Sequence, residues 1–152
     1  MVLKKGYKIA DFELKTPYLA ADGIIKLYND KEEFQGIVLI QRLNEPKGIA
    51  IPGGFVDIGE SVEQAVVREM KEEVTLDVKI EQLLGVYSNP NRDVRFHCVS
   101  CVFICKAYGI PKAADDAKEV YIYKLEDIPY EKLVFDHSDI LKDFIKNLNL
   151  EK

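Results

Sequence analysis

Long apolar runs are missing from this chain. No stretch reaches the roughly 18 residues a membrane-spanning helix needs, and no charged n-region with an apolar h-region opens it. The expectation is a cytoplasmic protein without a membrane partner. An excess of basic residues is missing too: Lys and Arg number 21 against 26 Asp and Glu, a net charge of −5. Nonspecific nucleic-acid binding needs a basic face, so nucleic acid is not expected as a partner. A nucleotide substrate needs only a few local cations and stays open. There is no appended helix-turn-helix segment of the kind a regulator would carry. Histidine is scarce, with 2 residues, and cysteine scarcer than most disulfide frameworks need, with 3. Cys98, Cys101 and Cys105 fall in one expected strand, where alternation sends Cys98 to one face and the other two to the opposite face. That argues for core packing over a zinc site, and it fits a reducing compartment. His97 and His137 stand alone and read as packing or capping residues.

No internal repeat, low-complexity tract or linker divides the 152 residues, a length suited to one domain. Residues 1–16 are set apart as an N-terminal arm, basic and aromatic through Lys4, Lys5, Tyr7, Lys8 and Phe12. A short strand is possible near residues 8–14, and the arm is a candidate pairing surface between subunits. Residues 19–28 and 36–42 are apolar enough for core strands, joined by a polar hairpin loop over 29–35. A short strand over 49–52 leads into Gly53-Gly54. Another strand lies within 77–87, and residues 96–108 form the longest apolar run, expected to be a central strand buried on both faces. A polar loop over 112–119 holds Asp115, Asp116 and Glu119, followed by a strand over 120–124 and one short turn over 125–130. Asp136 is placed to cap a last helix whose Ile140, Leu141, Phe144, Ile145 and Leu148 recur at helical spacing. Strands, an inserted helix, more strands and a terminal helix suggest a mixed sheet with a helix on each side.

The inserted helix carries the anomaly. Ser61 and Gln64 form a capping-box pair, and about twelve residues follow without Gly or Pro. On a wheel of about 100° per residue, Val62, Ala65, Val66 and Met70 define an apolar sector. Glu69 and Glu73 fall inside it, about 20° from Val62, and Glu72 lies at its edge. An unpaired buried carboxylate costs several kcal/mol, so it pairs, binds a metal or takes up a proton. Arg68 alone cannot neutralise three charges, whereas a divalent cation can. Hard oxygen ligands without clustered His or Cys favour Mg²⁺ or Mn²⁺. The alternative on spacing alone is a solvated acidic helix.

Gly54, five residues, Glu60, seven residues and then Arg68-Glu69-Met70-Lys71-Glu72-Glu73 resembles the box of the Nudix hydrolases, which cleave a nucleoside diphosphate linked to another moiety. One position departs: Thr75 stands where the box has glycine, so the helix exit is expected to differ or to be strained by about 1 kcal/mol. Residues beyond the box resemble the ADP-ribose pyrophosphatases of that superfamily. They include Pro17 with Leu19-Ala20-Ala21-Asp22-Gly23-Ile24-Ile25, Gly85-Val86-Tyr87-Ser88, Arg92 to His97, Asp115-Asp116-Ala117 and Phe135-Asp136-His137. Val94 departs, since that subgroup often has proline there.

The resemblance implies an α/β (α+β) fold, the Nudix-type α/β/α sandwich with a mixed β-sheet between helices, and a homodimer. It implies Mg²⁺ or Mn²⁺ on Glu69, Glu72, Glu73 and the Gly53 carbonyl, with Arg68 and Glu60 fixing helix and loop. Water would attack a small-molecule nucleoside diphosphate, yielding AMP and ribose 5-phosphate from ADP-ribose. Glu69 is the general-base candidate within the box; Asp115, Asp116 and Glu119 are those of the later loop, with Glu119 a possible further metal ligand. Arg42, Arg92 and Arg95 are the candidate substrate-binding cations, since guanidiniums suit phosphate by forked hydrogen bonding. A turn-fixing pair with Asp93 is their competing role. Tyr18, Tyr87 and Phe96 are candidates to stack on adenine, against a core role. Two other functions stay open: a nucleoside triphosphate pyrophosphohydrolase that clears oxidised nucleotides, and a non-catalytic nucleotide-sensing domain.

Overall fold

A computed structural model describes residues 15–151. The expected arm lies outside the described residues apart from Lys15 and Thr16, as does the short strand near residues 8–14. Seven strands make one mixed sheet: β1 (Tyr18–Tyr28), β2 (Phe34–Arg42), β3 (Ile49–Ala50), β4 (Gly53–Phe55), β5 (Lys79–Tyr87), β6 (Cys98–Tyr108) and β7 (Ala117–Tyr123). The order is β3-β2-β1-β6-β5, with β4 paired to β1 and β7 to β2. Among the described strands β1 and β6 pair in parallel and the other pairings are antiparallel. Helix α1 (Val62–Val74) covers one face and α2 (His137–Leu150) the other. The expected α/β/α sandwich is therefore present.

The period-2 alternation of the strands divides the core into two layers. Ala21, Ile25, Val38, Ile40, Phe103 and Cys105 pack beneath Ala65, Val66, Met70 and Val74 of α1. Ile24, Ile37, Leu39, Val102 and Ile104 pack beneath Ile140, Leu141 and Phe144 of α2. Each of the Val, Leu, Ile, Phe and Met side chains among them, fully buried, contributes about 1.5–3 kcal/mol. Strand β6 is an interior strand between β1 and β5, although the middle of the order expected for its apolar run is taken by β1, and Cys98 faces opposite to Cys101 and Cys105. All three thiols are free.

Three local expectations are corrected. Strand β7 starts at Ala117, so Glu119 lies in a strand across from Gln41 instead of in a polar loop. Two 3-10 turns, Leu125–Asp127 and Tyr130–Lys132, stand where one was expected. Asp136 occupies the N-cap position of α2 but makes no side-chain cap, because Arg92 takes its carboxylate. The Arg92 fork gives the Asp136 carboxylate two charge-assisted bonds to a full cation, where the cap would give it one bond to a backbone N–H.

The sheet opens where β1 changes partner. Its Ala20–Asp22 segment pairs with β4, whereas residues 26–28 pair with β2. Where β1 leaves it, strand β2 pairs with β3 through Ile40 and Gln41, while β7 runs along its other edge over Ile37–Arg42. The two strands diverge, and a cleft of about 340 Å³ lies between them.

Candidate active site

One wall of the cleft is acidic. The capping box forms as expected: Gln64 N–H donates to Ser61 Oγ (3.1 Å) and Ser61 N–H to Gln64 Oε1 (2.8 Å). Packing of Ala65, Val66, Met70 and Val74 against the sheet sets the rotation of α1, and Glu69 and Glu73 are thereby turned toward β4. The backbone of β4 lies directly on them. A Cβ on Gly54 would fall 2.4 Å from the Glu69 carboxyl, and one on Gly53 would fall 1.9 Å from Asp22 Oδ1. Only glycine permits that approach. Gly53 N–H donates to Glu73 Oε2 at 3.0 Å. Burial pushes the Glu73 carboxyl up to about 8; the Gly53 N–H opposes this, and the charges of Glu69, Asp22 and Asp116 add to it. Glu69 is raised as well, by burial first, against the pull of Arg68.

Arg68 ties this wall together. Its Nη1 donates to Glu69 Oε1 (2.9 Å) and Glu72 Oε2 (3.1 Å), its Nη2 to Phe55 O (3.0 Å) and Glu60 Oε1 (2.5 Å), and its Nε to Glu60 Oε2 (3.1 Å). The Arg68 hydrogen bond, with the Asp57 N–H, holds the Glu60 carboxyl down to about 2. Glu60 and Arg68 thus join the loop after β4 to α1. The helix ends at Thr75 with φ 62°, in the left-handed region that the glycine of the box pattern suits. Thr75 Oγ1 donates to Lys112 O (2.6 Å), and Lys112 N–H and Ala114 N–H cap the carbonyls of Val74 and Glu73 (both 2.9 Å). These bonds offset the strain of the left-handed exit.

The opposite wall is cationic. Arg92, 8% exposed, grips Asp136 by Nε–Oδ2 (3.0 Å) and Nη2–Oδ1 (2.8 Å). Arg95 grips Asp93 by Nε–Oδ1 (3.0 Å) and Nη2–Oδ2 (2.8 Å). Arg42 is held by the carbonyls of Pro46 (2.8 Å) and Glu45 (3.3 Å). At the floor, His137 Nδ1 accepts the Ile51 N–H (3.0 Å), and burial lowers its pKa to about 3, so the ring is neutral.

Residues 17–144 match the NUDIX domain. The chain belongs to the Nudix family. It is 51% identical over 133 residues to the ADP-ribose pyrophosphatase of Methanocaldococcus jannaschii, covering 86% of this chain and 74% of that protein. Its fold is similar to the NUDIX domain of Shewanella oneidensis NrtR, solved with ADP ribose, at a TM-score of 0.76 and 25% identity over 91% of this chain and 95% of that one. It is also similar to a MutT/nudix family protein from Enterococcus faecalis, at 0.74 and 29%, over 90% of this chain and 64% of that one.

In this Nudix protein the sequence-derived candidates divide. Gly53, Glu69 and Glu73 line the cleft together, as do Arg42, Arg92 and Arg95. Glu72 is exposed and reaches the site through Arg68. Glu119 points elsewhere, accepting the Tyr121 hydroxyl (2.6 Å), and lies off the cleft with Asp115; of the three loop carboxylates Asp116 alone lines it. Of the aromatic candidates, Tyr18 and Phe96 join Phe55 in a cluster beside the mouth, with centroids 4.6 to 5.9 Å apart. Tyr87 instead donates its hydroxyl to Asp143 of α2 (2.8 Å).

Sequence reasoning missed Asp22, Asp93, Phe135 and His137 as cleft residues. Asp22 takes a hydrogen bond from Ser100 Oγ, and burial raises its carboxyl to about 6 against that bond. Its signal was available: a lone carboxylate within an apolar strand is the same anomaly as Glu69 in an apolar helix sector. Phe135 gave no signal, since nothing in residue type foretells its φ of 56°.

Nudix membership implies a divalent cation. Among the described residues no three His, Cys, Asp or Glu side chains converge on one ligating point as they stand. The reason is visible in their partners: Arg68 holds Glu69 and Glu72, and the Gly53 N–H holds Glu73. The donor chemistry nevertheless fits. It is all oxygen, and its Glu69 and Glu73 carboxyls, desolvated and held above their ordinary pKa, would be returned to anions by a cation between them.

Proposed function

We propose that this protein hydrolyses the pyrophosphate bond of a nucleoside diphosphate derivative, with ADP-ribose as the preferred substrate and AMP and ribose 5-phosphate as products. One observation carries this reading: a single cleft sets crowded carboxyls on one wall against three anchored guanidiniums on the other. Such a cleft suits a diphosphate bridged by metal better than it suits a neutral ligand. Mg²⁺ or Mn²⁺ would be held by Glu69, Glu73 and Glu72 with the Gly53 carbonyl; when bound it supplies charge neutralisation and an acidified water.

The chain's own groups do the rest. Arg42, Arg92 and Arg95 draw the diphosphate into the cleft, and their carboxylate and carbonyl anchors keep them from collapsing onto the acidic wall. Arg68 occupies Glu69 Oε1, which leaves Oε2 as the proton acceptor. Asp116 is the loop alternative for that role. His137, neutral and donating nothing through Nδ1, fixes the floor by taking the Ile51 N–H.

No helix among the described residues is long and apolar enough to cross a membrane. A homodimer is our reading from the resemblance, and sedimentation would check the subunit count. Incubation with ADP-ribose, NADH, diadenosine polyphosphates and nucleoside triphosphates in Mg²⁺, with product identification, tests the function. AMP and ribose 5-phosphate from ADP-ribose is the expected result. Preferential release of pyrophosphate from triphosphates, or binding of ADP-ribose without turnover, overturns it.

A further inference from the structure

A ladder of rings and guanidiniums crosses the mouth of the cleft. Tyr18 meets Phe96 at 4.6 Å between centroids, and the Arg95 guanidinium carbon lies 4.8 Å from the Phe96 ring. The same carbon lies 5.3 Å from the Phe135 ring, and that of Arg42 lies 5.1 Å from it. Phe135 is the rung that both arginines share.

Its backbone makes this placement unusual. With φ 56° it sits in the left-handed region, which Asn and Gly adopt more readily than an aromatic residue. Phe135 belongs to neither core layer, although Leu133 and Val134 beside it do. Its ring instead meets the two guanidiniums and the His137 ring, 5.2 Å away. The strain is therefore not compensated by core burial. Arg42 and Arg95 repel each other, and a ring face attracts each of them by its quadrupole.

Resting on the hydrolase reading above, we propose that Phe135 is a positioning residue that holds Arg42 and Arg95 as one unit for gripping the diphosphate. It thereby sets substrate affinity more than turnover.

Phe135→Asn tests this, because Asn accepts the left-handed backbone while removing the ring. Loss of two cation–π contacts should raise KM for ADP-ribose, and Kd for inorganic pyrophosphate, about 5- to 30-fold, with kcat within about twofold. Phe135→Tyr, which keeps a ring face, should recover most of that affinity. Arg42→Met and Arg95→Met should be non-additive in the wild-type background and additive with Phe135→Asn. Unchanged KM and Kd in Phe135→Asn, or a fall in kcat at constant KM, overturns the proposal. Melting curves of both variants show whether the chain is folded, and a folded Phe135→Tyr with affinity as poor as Phe135→Asn also overturns it. The pyrophosphate arm separates the two readings: wild-type protein that binds pyrophosphate but leaves ADP-ribose intact refutes the hydrolase reading alone.

Discussion

Replacing Glu73 by Gln should make the metal-free protein more stable while stopping its chemistry. Glu73 is 5% exposed, and its folded carboxyl keeps a proton to about pH 8, against an ordinary value of 4.5. A carboxyl raised on folding stabilises fully below the unfolded pKa, and that contribution is lost as pH climbs through the folded value. Between pH 4.5 and pH 7 the loss comes to about 3 kcal/mol, at about 1.4 kcal/mol per pH unit. Gln keeps the shape and an oxygen for the Gly53 N–H but never ionises. In chelator at pH 7, Glu73→Gln should therefore melt about 6–12 °C above wild type, with the curves converging near pH 4.5. In Mg²⁺ its turnover should fall at least about 100-fold, because one of the carboxylates proposed to hold the metal is gone. Thermal melts across pH 4–8 and initial rates on ADP-ribose measure both. A variant less stable than wild type at pH 7 refutes the account of a crowded buried carboxyl. Undiminished turnover shows that the helix is not the metal site.

Gly54→Ala should place a methyl group against the Glu69 carboxyl, 2.4 Å from it, and cut kcat at least about tenfold while costing about 1–3 kcal/mol of stability; rates and melts decide. At the helix exit, Thr75→Gly should stay within about 0.5 kcal/mol of wild type, because relief of left-handed strain offsets the lost bond to Lys112 O. Thr75→Ala keeps the strain, loses the bond and should cost about 1–2 kcal/mol by urea unfolding. His137 stays neutral when folded, its pKa pushed down to about 3 by burial and by Arg92 and Arg42. The stability it lends is complete above pH 6.5 and falls by about 2 kcal/mol by pH 5. His137→Gln, which still offers an oxygen to the Ile51 N–H, should flatten that part of the acid profile in melting experiments.

The acidic helix was legible because its cap, periodicity and misplaced carboxylates are local facts, separated by one to four residues. Its left-handed exit was legible in part, through the threonine standing where a glycine was expected. The cationic wall was legible only as residue types: Arg42, Arg92 and Arg95 could be named, but Arg92 takes a partner 44 residues away, Asp136, and that removed the expected cap. Glu119 was misassigned as a loop residue because β7 is built by long-range pairing with β2, which Lys118 and Glu119 do not announce.

Spacing by itself pointed to a mixed sheet with a helix on each side and to the inward sector of α1, because helical rotation and strand alternation are periodicities that the chain carries within itself; the family box and its sandwich were legible only through the resemblance of particular motif residues. Tertiary structure alone decided which carboxylate of the 115–119 stretch reaches the cleft, that Asp22 joins Glu69 and Glu73, and that Phe135 stands between two arginines. Those facts arise where β1 leaves β4 for β2 and distant segments meet. A contact between residues far apart in sequence leaves no period to read.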